Sequence, residues 1–111
     1  MMLENVYINY SKRRQKMETY QFTEQEEKIL SNFFNPDQTL KTFPAKESKK
    51  LIILKKIKES FKENCRYSES EVNTLLEKVY PDYVEIRRAL IDYKMLFRTD
   101  DCRTYWLNPE N

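Results

Sequence analysis

Three groups of basic side chains are spaced so that each group can contact a phosphate backbone. Lysines three and four residues apart share one side of a helix, and two adjacent arginines lie on the outward sector of a later helical segment. Two further arginines flank a short turn, from which arginine can reach a phosphate or a minor groove. Since ammonium and guanidinium groups supply phosphate contacts, the candidate nucleic-acid-binding residues are Lys46, Lys49, Lys50, Arg87, Arg88, Arg98 and Arg103.

Each group also has a purely structural interpretation. The lysines fit a solvated helix face, and two aspartates at the arginine-flanked turn would repel a phosphate backbone. Arg87 or Arg88 fits an ion pair with Glu71 or Asp92 that locks two helices together. The charges of the 82–94 segment cancel, whereas a helix that enters the major groove is usually more positive.

The composition excludes most catalytic and cofactor chemistry. The chain has no histidine, which excludes Ser–His and Cys–His catalysis and histidine metal sites. It has no glycine, which excludes the glycine loops that cradle phosphates. Cys65 and Cys102 match no metal-binding or redox spacing and are expected to be free thiols. We therefore expect a non-enzymatic protein with no cofactor, no metal and no small-molecule substrate.

The basic character is local rather than global. The net charge is only +2, from 20 basic and 18 acidic residues, which is modest for a nucleic-acid-binding protein. Residues 12–16 form a basic run, interpreted either as an arm that increases nucleic-acid affinity or as a solvated linker. No apolar run is long enough to span a membrane, and the first residues lack the pattern of a secretory signal. We therefore expect a cytoplasmic protein.

The first part of the chain, residues 1–42, is predicted to be an N-terminal arm with one helix. The apolar residues in 6–10 fit either a short strand or a segment that docks on another surface. Thr23 followed by Glu26 is a capping box, which predicts a helix over about 23–34. Asn35 and Pro36 end it, because the residue before proline disfavours the helical conformation.

Residues 43–111 carry more regular signals and are predicted to form the main domain. Apolar residues at helical spacing predict a helix over 46–62, and Ser68 and Asp82 are capping residues of two further helices. Residues 96–98 and 104–107 read as two strands of a hairpin, with Trp106 rather than Tyr105 expected in the core. The fold class is α+β, mainly α: a winged helix-turn-helix of three helices and a C-terminal β-hairpin, with an extra N-terminal helix.

Residues 43–107 resemble a bacterial family of domains of unknown function, family two-zero-eight-seven, found alone or at the C-terminus of small predicted transcriptional regulators. The resemblance rests on short segments in the same order along the chain. They are Phe43-Pro44-Ala45-Lys46 with Lys49-Lys50, Tyr67-Ser68-Glu69, Glu71-Val72-Asn73, Asp82-Tyr83, Ile86-Arg87-Arg88-Ala89-Leu90-Ile91-Asp92-Tyr93, Arg98 and Tyr105-Trp106.

The resemblance implies a winged-helix-like fold and a role in nucleic-acid binding, without an established activity. The family usually has glycine at the position of Lys94. If that position requires a left-handed backbone, Lys94 costs up to about 1 kcal/mol relative to glycine.

Two functions remain open on these observations. The first is a winged-helix nucleic-acid-binding protein, a small transcriptional regulator whose partner is DNA, with RNA as the other polymer. The second is a protein-interaction or dimerisation module without direct nucleic-acid binding, which the extra apolar positions Ile52, Val84 and Ile91 favour. In that case the partner is a second copy of the chain or another protein.

Overall fold

The computed structural model describes residues 21–109 as a mainly helical α+β structure. Within these residues, four helices precede a C-terminal hairpin of two antiparallel strands, as the sequence predicts. The helices are α1 (Glu24–Phe33), α2 (Glu47–Ile57), α3 (Glu69–Glu77) and α4 (Tyr83–Asp92), and the strands are β1 (Leu96–Arg98) and β2 (Tyr105–Leu107). The predicted strand at 6–10 and the basic run at 12–16 lie outside the described residues.

Side-chain caps start three of the helices at the predicted positions. Thr23 and Glu26 form the capping box of α1, in which each side chain accepts a hydrogen bond from the other residue's backbone N–H, at 3.1 and 3.0 Å. Ser68 and Glu71 do the same for α3. Asp82 caps α4 through its Oδ1, which accepts from the backbone N–H three residues later at 3.4 Å. Such caps are local in sequence and each contributes about 1 kcal/mol.

Helix α2 ends earlier than predicted. The apolar pattern predicts a helix over 46–62, but the α-helix stops at Ile57 and a 3₁₀ turn, Lys58–Ser60, follows it. Phe61 then adopts an extended backbone and is 5% exposed. Its ring meets the Tyr67 ring edge to face, with centroids 5.2 Å apart. The contact with a residue outside the helix therefore explains the apolar character of Phe61.

The core lies where α2, α3, α4 and the hairpin meet. Helix α2 packs between α1 and α4, so a wide sector of it is covered. Ile53 is completely buried, whereas Leu51 is only half-buried. The buried residues are Leu30, Leu40, Ile53, Leu54, Ile57, Phe61, Val72, Leu76, Ile86, Leu90, Met95, Leu96 and Tyr105.

The hairpin places Tyr105, and not Trp106, in the core. Leu96 and Tyr105 lie on the inner face, with 0% and 2% exposure. Trp106 pairs with Phe97 on the opposite face, because successive strand residues point to opposite sides. The expectation that Trp106 belongs to the core is therefore wrong: the burial of Leu96 decides which face turns inward, and Trp106 follows the other one.

A third extended segment adds to the hairpin. The Tyr67 N–H donates to the Tyr105 carbonyl at 2.8 Å, and the Tyr105 N–H donates back at 2.7 Å. The segment between α2 and α3 is thus paired with β2, on the side opposite β1. This pairing connects the start of α3 directly to the hairpin.

Four described residues other than glycine have a positive φ: Gln38, Asn64, Lys94 and Cys102. Lys94, with a φ of 63°, follows α4. The N–H of Met95 donates to the Leu90 carbonyl at 2.9 Å and that of Lys94 to the Ile91 carbonyl at 3.0 Å. This is the Schellman arrangement, in which the left-handed residue is usually glycine. Lys94 therefore has the left-handed backbone that would explain why the family usually has glycine at this position.

Replacing Lys94 with glycine is expected to raise the free energy of unfolding by up to about 1 kcal/mol, because the Cβ clash of a left-handed residue is removed. Urea denaturation measures the change. Lys78, at the end of α3, is the matched control, since its φ of −66° is right-handed. Lys78→Gly should destabilise by about 0.5–1 kcal/mol. Destabilisation by both variants would contradict strain at Lys94.

Candidate nucleic-acid interface

Arg87 joins the two helices of the predicted helix-turn-helix. It lies on α4 and its side chain is only 20% exposed. Its Nη1 donates a hydrogen bond to Asn73 Oδ1 and lies 3.8 Å from Glu69 Oε2, both on α3. Two such contacts hold the guanidinium against the protein. Arg87 therefore fits the structural interpretation that an arginine of this pair locks the helices together.

The partners of Arg87 differ from the two considered from the sequence. Glu71 is engaged at the start of its own helix, where its Oε1 accepts the Ser68 N–H at 2.8 Å. Glu69 and Asn73, four residues apart, present one face of α3 to α4 instead. The prediction that Arg87 pairs with Glu71 or Asp92 is thus wrong. The prediction that an arginine of α4 connects two helices agrees with the structure.

Tyr105 extends this contact to the hairpin. Its hydroxyl donates to Glu69 Oε2 at 3.4 Å, on the same carboxylate oxygen that faces Arg87. Burial is the main cause that raises the pKa of the Tyr105 phenol above 10.0. The phenol therefore remains protonated, and able to donate, at a pH where an exposed tyrosine ionises. The Glu69 carboxylate therefore contacts one side chain from α4 and one from β2.

Arg88 has a different environment from its neighbour. It is exposed, and its side chain makes no hydrogen bond or ion pair with any other residue in 21–109. One helical step turns its side chain by about 100° from that of Arg87, and so away from α3. Val84, one turn earlier, is 43% exposed. The outward face of α4 thus combines one available guanidinium with an apolar side chain.

The three candidate lysines stand at the start of α2. Lys46 is exposed and precedes the helix without a side-chain cap. Lys49 and Lys50 are half-buried and reach different aromatic rings. The Lys49 Nζ lies 5.8 Å from the centre of the Phe33 ring, and the Lys50 Nζ lies 5.6 Å from the centre of the Phe43 ring. These contacts divide the lysines between two sides of the helix start.

The hairpin turn carries the last two candidates. Arg98 is exposed and its Nη1 donates to the backbone carbonyls of Thr99 and Asp100, at 3.0 and 3.5 Å. Arg103 is more open, with a side chain 85% exposed and its Nε 3.9 Å from Asp101 Oδ2. Both arginines therefore lie at the turn, Arg98 folded onto it and Arg103 directed into solvent.

Asp101 organises this turn. Its Oδ1 accepts the Thr99 hydroxyl at 2.6 Å and the Arg103 N–H at 3.0 Å. The hydrogen bond from the Thr99 side chain is the main cause that lowers the pKa of the Asp101 carboxyl, and the bond from the Arg103 backbone adds to it. The carboxylate thus acts as an internal acceptor beside the cation, and not only as a charge that would repel phosphates.

Arg66 is a basic residue that is not among the candidates identified from the sequence. Its Cζ lies 4.7 Å from the centre of the Trp106 ring, on the outer face of the sheet. The position follows from the pairing of Tyr67 with Tyr105, which brings Arg66 beside Trp106. The alternation of 65–67 is visible in the sequence, but its register with β2 is not.

Comparison with known families assigns most of the described chain. Residues 39–107 match a family described as "Uncharacterized protein conserved in bacteria (DUF2087)". The chain therefore belongs to this bacterial family, which is the one that the sequence resembles. No curated protein and no solved structure matches the chain.

The family match begins at residue 39, before the predicted boundary at 43, and the packing gives a reason. Leu40 is 4% exposed, and its N–H donates to the Val79 carbonyl at 2.8 Å, at the end of α3. The segment before α2 therefore packs against the main domain. Among residues 21–109, no helix is long and apolar enough to cross a membrane.

Replacing Arg87 with methionine is expected to lower the free energy of unfolding by about 1–2 kcal/mol, because the contacts with Asn73 and Glu69 are lost while most of the aliphatic stem remains. Arg88→Met is the matched control on the same helix and should change it by less than about 0.5 kcal/mol. Chemical denaturation compares the two variants. Equal effects would show that Arg87 does not lock the helices.

Replacing Thr99 with valine is expected to raise the pKa of Asp101 toward its ordinary value of 3.8, because its strongest hydrogen bond is removed. In the native protein this depressed pKa contributes stability above pH 3.8 that is lost as the pH falls through the lowered value. An NMR titration of the carboxyl carbons measures it. Asp37, whose pKa is lowered mainly by Thr39, is the internal control and should not change. An unchanged Asp101 would exclude Thr99 as the cause.

Proposed function

We propose that the chain is a non-enzymatic, winged-helix nucleic-acid-binding protein that acts as a small transcriptional regulator in bacteria. The order of α2, the segment at Tyr67, α3, α4 and the hairpin is the order of a winged helix-turn-helix. The pairing of Tyr67 with Tyr105 supports this assignment, because it gives the hairpin the third extended segment that precedes the helix-turn-helix.

The observation that carries the proposal is the separation of functions between Arg87 and Arg88. A recognition helix needs one face fixed to the preceding helix and another open to the groove. Arg87 fixes α4 to α3, and Arg88 faces solvent on the same helix. In the proposed complex Arg88 contacts the DNA, and Arg87 positions the helix.

The remaining contacts are proposed to be electrostatic. Within α4 two arginines balance Glu85 and Asp92, so this helix alone does not attract a phosphate backbone strongly. Lys46, Lys49 and Lys50 supply charge from the start of α2, and Arg98 and Arg103 supply it from the hairpin turn. Such contacts give affinity without sequence information. Duplex DNA is the proposed partner, and RNA is tested beside it.

The second candidate function is a protein-interaction or dimerisation module, and Val84 favours it. Among residues 21–109, Val84 is the one large apolar residue that is exposed, at 43%. It lies on the outward face of α4, where Ile91 is half-buried. In this alternative α4 binds a second copy of the chain or another protein. Light scattering at high concentration detects the self-association that the first of these requires.

The proposal predicts that the protein binds random-sequence duplex DNA in a salt-dependent manner. About five phosphate contacts give a slope of log affinity against log salt of about −4.5, or a loss of roughly 500-fold between about 50 and 200 mM salt. Fluorescence anisotropy with labelled duplex DNA and structured RNA measures both values. Absence of binding to either polymer at the lower salt concentration would contradict the proposal.

Variants that remove positive charges identify which side chains contact the phosphates. The double variant Lys49→Gln/Lys50→Gln should reduce the magnitude of the salt slope by about 2, and Arg88→Gln should reduce it by about 1. Lys28→Gln is the matched control, since Lys28 is exposed on α1 and is not a candidate. An unchanged slope in the double variant would exclude the lysines as phosphate contacts.

A further inference from the structure

The outer face of the small sheet carries a row of three large side chains. Phe97 on β1 pairs with Trp106 on β2, and their rings meet edge to face with centroids 6.2 Å apart. On the other side of Trp106, the Arg66 Cζ lies 4.7 Å from the ring centre. We call Arg66, Phe97 and Trp106 the sheet platform. It faces away from the core, because Leu96 and Tyr105 occupy the inner face.

A shallow groove runs along one end of the sheet platform. Its volume is about 280 Å³, and Trp106, Leu107 and Pro109 supply its apolar side chains. Glu63, Asn64, Cys65 and Arg66 complete the lining. Pockets that hold drug-sized ligands span roughly 300–1,000 Å³. This groove is therefore sized for one small group and not for an extended molecule.

The chemistry of the platform selects the kind of group. The indole of Trp106 is half-buried and offers a rigid π surface, and the guanidinium of Arg66 carries hydrogen-bond donors and a positive charge beside it. A planar group linked to an anion can stack on the indole and pair with the guanidinium at the same time. Single-stranded nucleic acids present this combination, since their bases stack on aromatic side chains while basic groups follow the phosphates.

We propose that the sheet platform binds an unpaired nucleotide of a single-stranded nucleic acid, with the base stacked on Trp106 and the phosphate held by Arg66. This site goes beyond the proposed duplex interface, because it lies on the outer face of the hairpin and needs a base that is free of its partner strand.

The geometry requires Arg66 to move and the aromatic residues to stay. The Arg66 Cζ now lies 4.7 Å from the indole centre, so the guanidinium must move aside before a base can stack on that face of the ring. Arg66 is exposed and has a long side chain, whereas Trp106 and Phe97 are anchored in paired strands.

Glu63 orients the nucleotide. This carboxylate is the acidic group among the groove residues, and it repels a phosphate placed near it. The phosphate is therefore expected on the Arg66 side and the base edge on the side of Glu63. There the carboxylate can accept a hydrogen bond from an N–H on the base edge, and the Asn64 amide can donate or accept one.

The chain has a single tryptophan, so its fluorescence reports on this site directly. We expect saturable quenching of Trp106 by a single-stranded thymidine oligonucleotide of about six nucleotides, a length within the usual site sizes. An abasic oligonucleotide with the same number of phosphates should cause little quenching. A uridine oligonucleotide tests whether the sugar matters, and quenching by either polymer supports the site.

Two variants test the platform without removing the tryptophan. Arg66→Met should weaken binding of the thymidine oligonucleotide by about tenfold because the phosphate contact is lost, and Phe97→Leu by a similar factor because the aromatic ring beside Trp106 is lost. Phe33→Leu is the matched control, because Phe33 also contacts a cationic side chain, Lys49, but lies on α1. Thermal unfolding confirms that each variant remains folded. Equal effects of Phe33→Leu and Phe97→Leu would overturn the assignment.

The outcome of the quenching experiment does not depend on whether the protein binds duplex DNA. Quenching that the abasic or duplex oligonucleotide reproduces, or no quenching by any single strand, overturns this inference even if the labelled duplex binds. Quenching by the thymidine oligonucleotide without binding of the labelled duplex or RNA supports the sheet platform and contradicts the proposed regulator interface. The two proposals therefore fail separately.

Discussion

Tyr105 is the residue on which the arrangement of helices and hairpin depends. Its backbone exchanges two hydrogen bonds with Tyr67, the residue that leads into α3, and its ring fills the core at 2% exposure. Its hydroxyl reaches Glu69, which also faces Arg87 on α4. One side chain thus connects β2, α3 and, through a shared carboxylate, α4. A smaller apolar residue at this position would fill less of the core and would leave Glu69 without its contact to the hairpin.

The same connection explains why two identical neighbours on α4 have different environments. Arg87 faces a side of α3 that offers an amide and a carboxylate, and it is held there. Arg88 faces solvent, and its guanidinium makes no hydrogen bond with the residues that the structure describes. The proposed function therefore does not rest on the number of cations in the helix, which the acids cancel. It rests on which cation remains available once the helices have packed.

Sequence reasoning succeeded where the determining contacts are local. The caps at Thr23 and Ser68 and the two hairpin strands depend on residues a few positions apart, and these were predicted correctly. The errors concern contacts between distant residues. The end of α2 depends on where Phe61 meets Tyr67, the orientation of Trp106 depends on which strand face is covered, and the partners of Arg87 depend on the rotation of α3 against α4. None of these is encoded in spacing along one segment, and for the same reason Arg66 was missed as a neighbour of Trp106.

The absence of glycine acts on the unfolded chain as well as on the folded one. Glycine loses more backbone freedom on folding than any other residue, so a chain without it begins from a narrower set of unfolded conformations. Less backbone entropy is then lost when the domain folds. The left-handed residues Gln38, Lys94 and Cys102 retain a Cβ and are strained for that reason, whereas Asn64 adopts this conformation more readily. A single feature of the composition thus lowers the entropy lost on folding and raises the energy of the native turns.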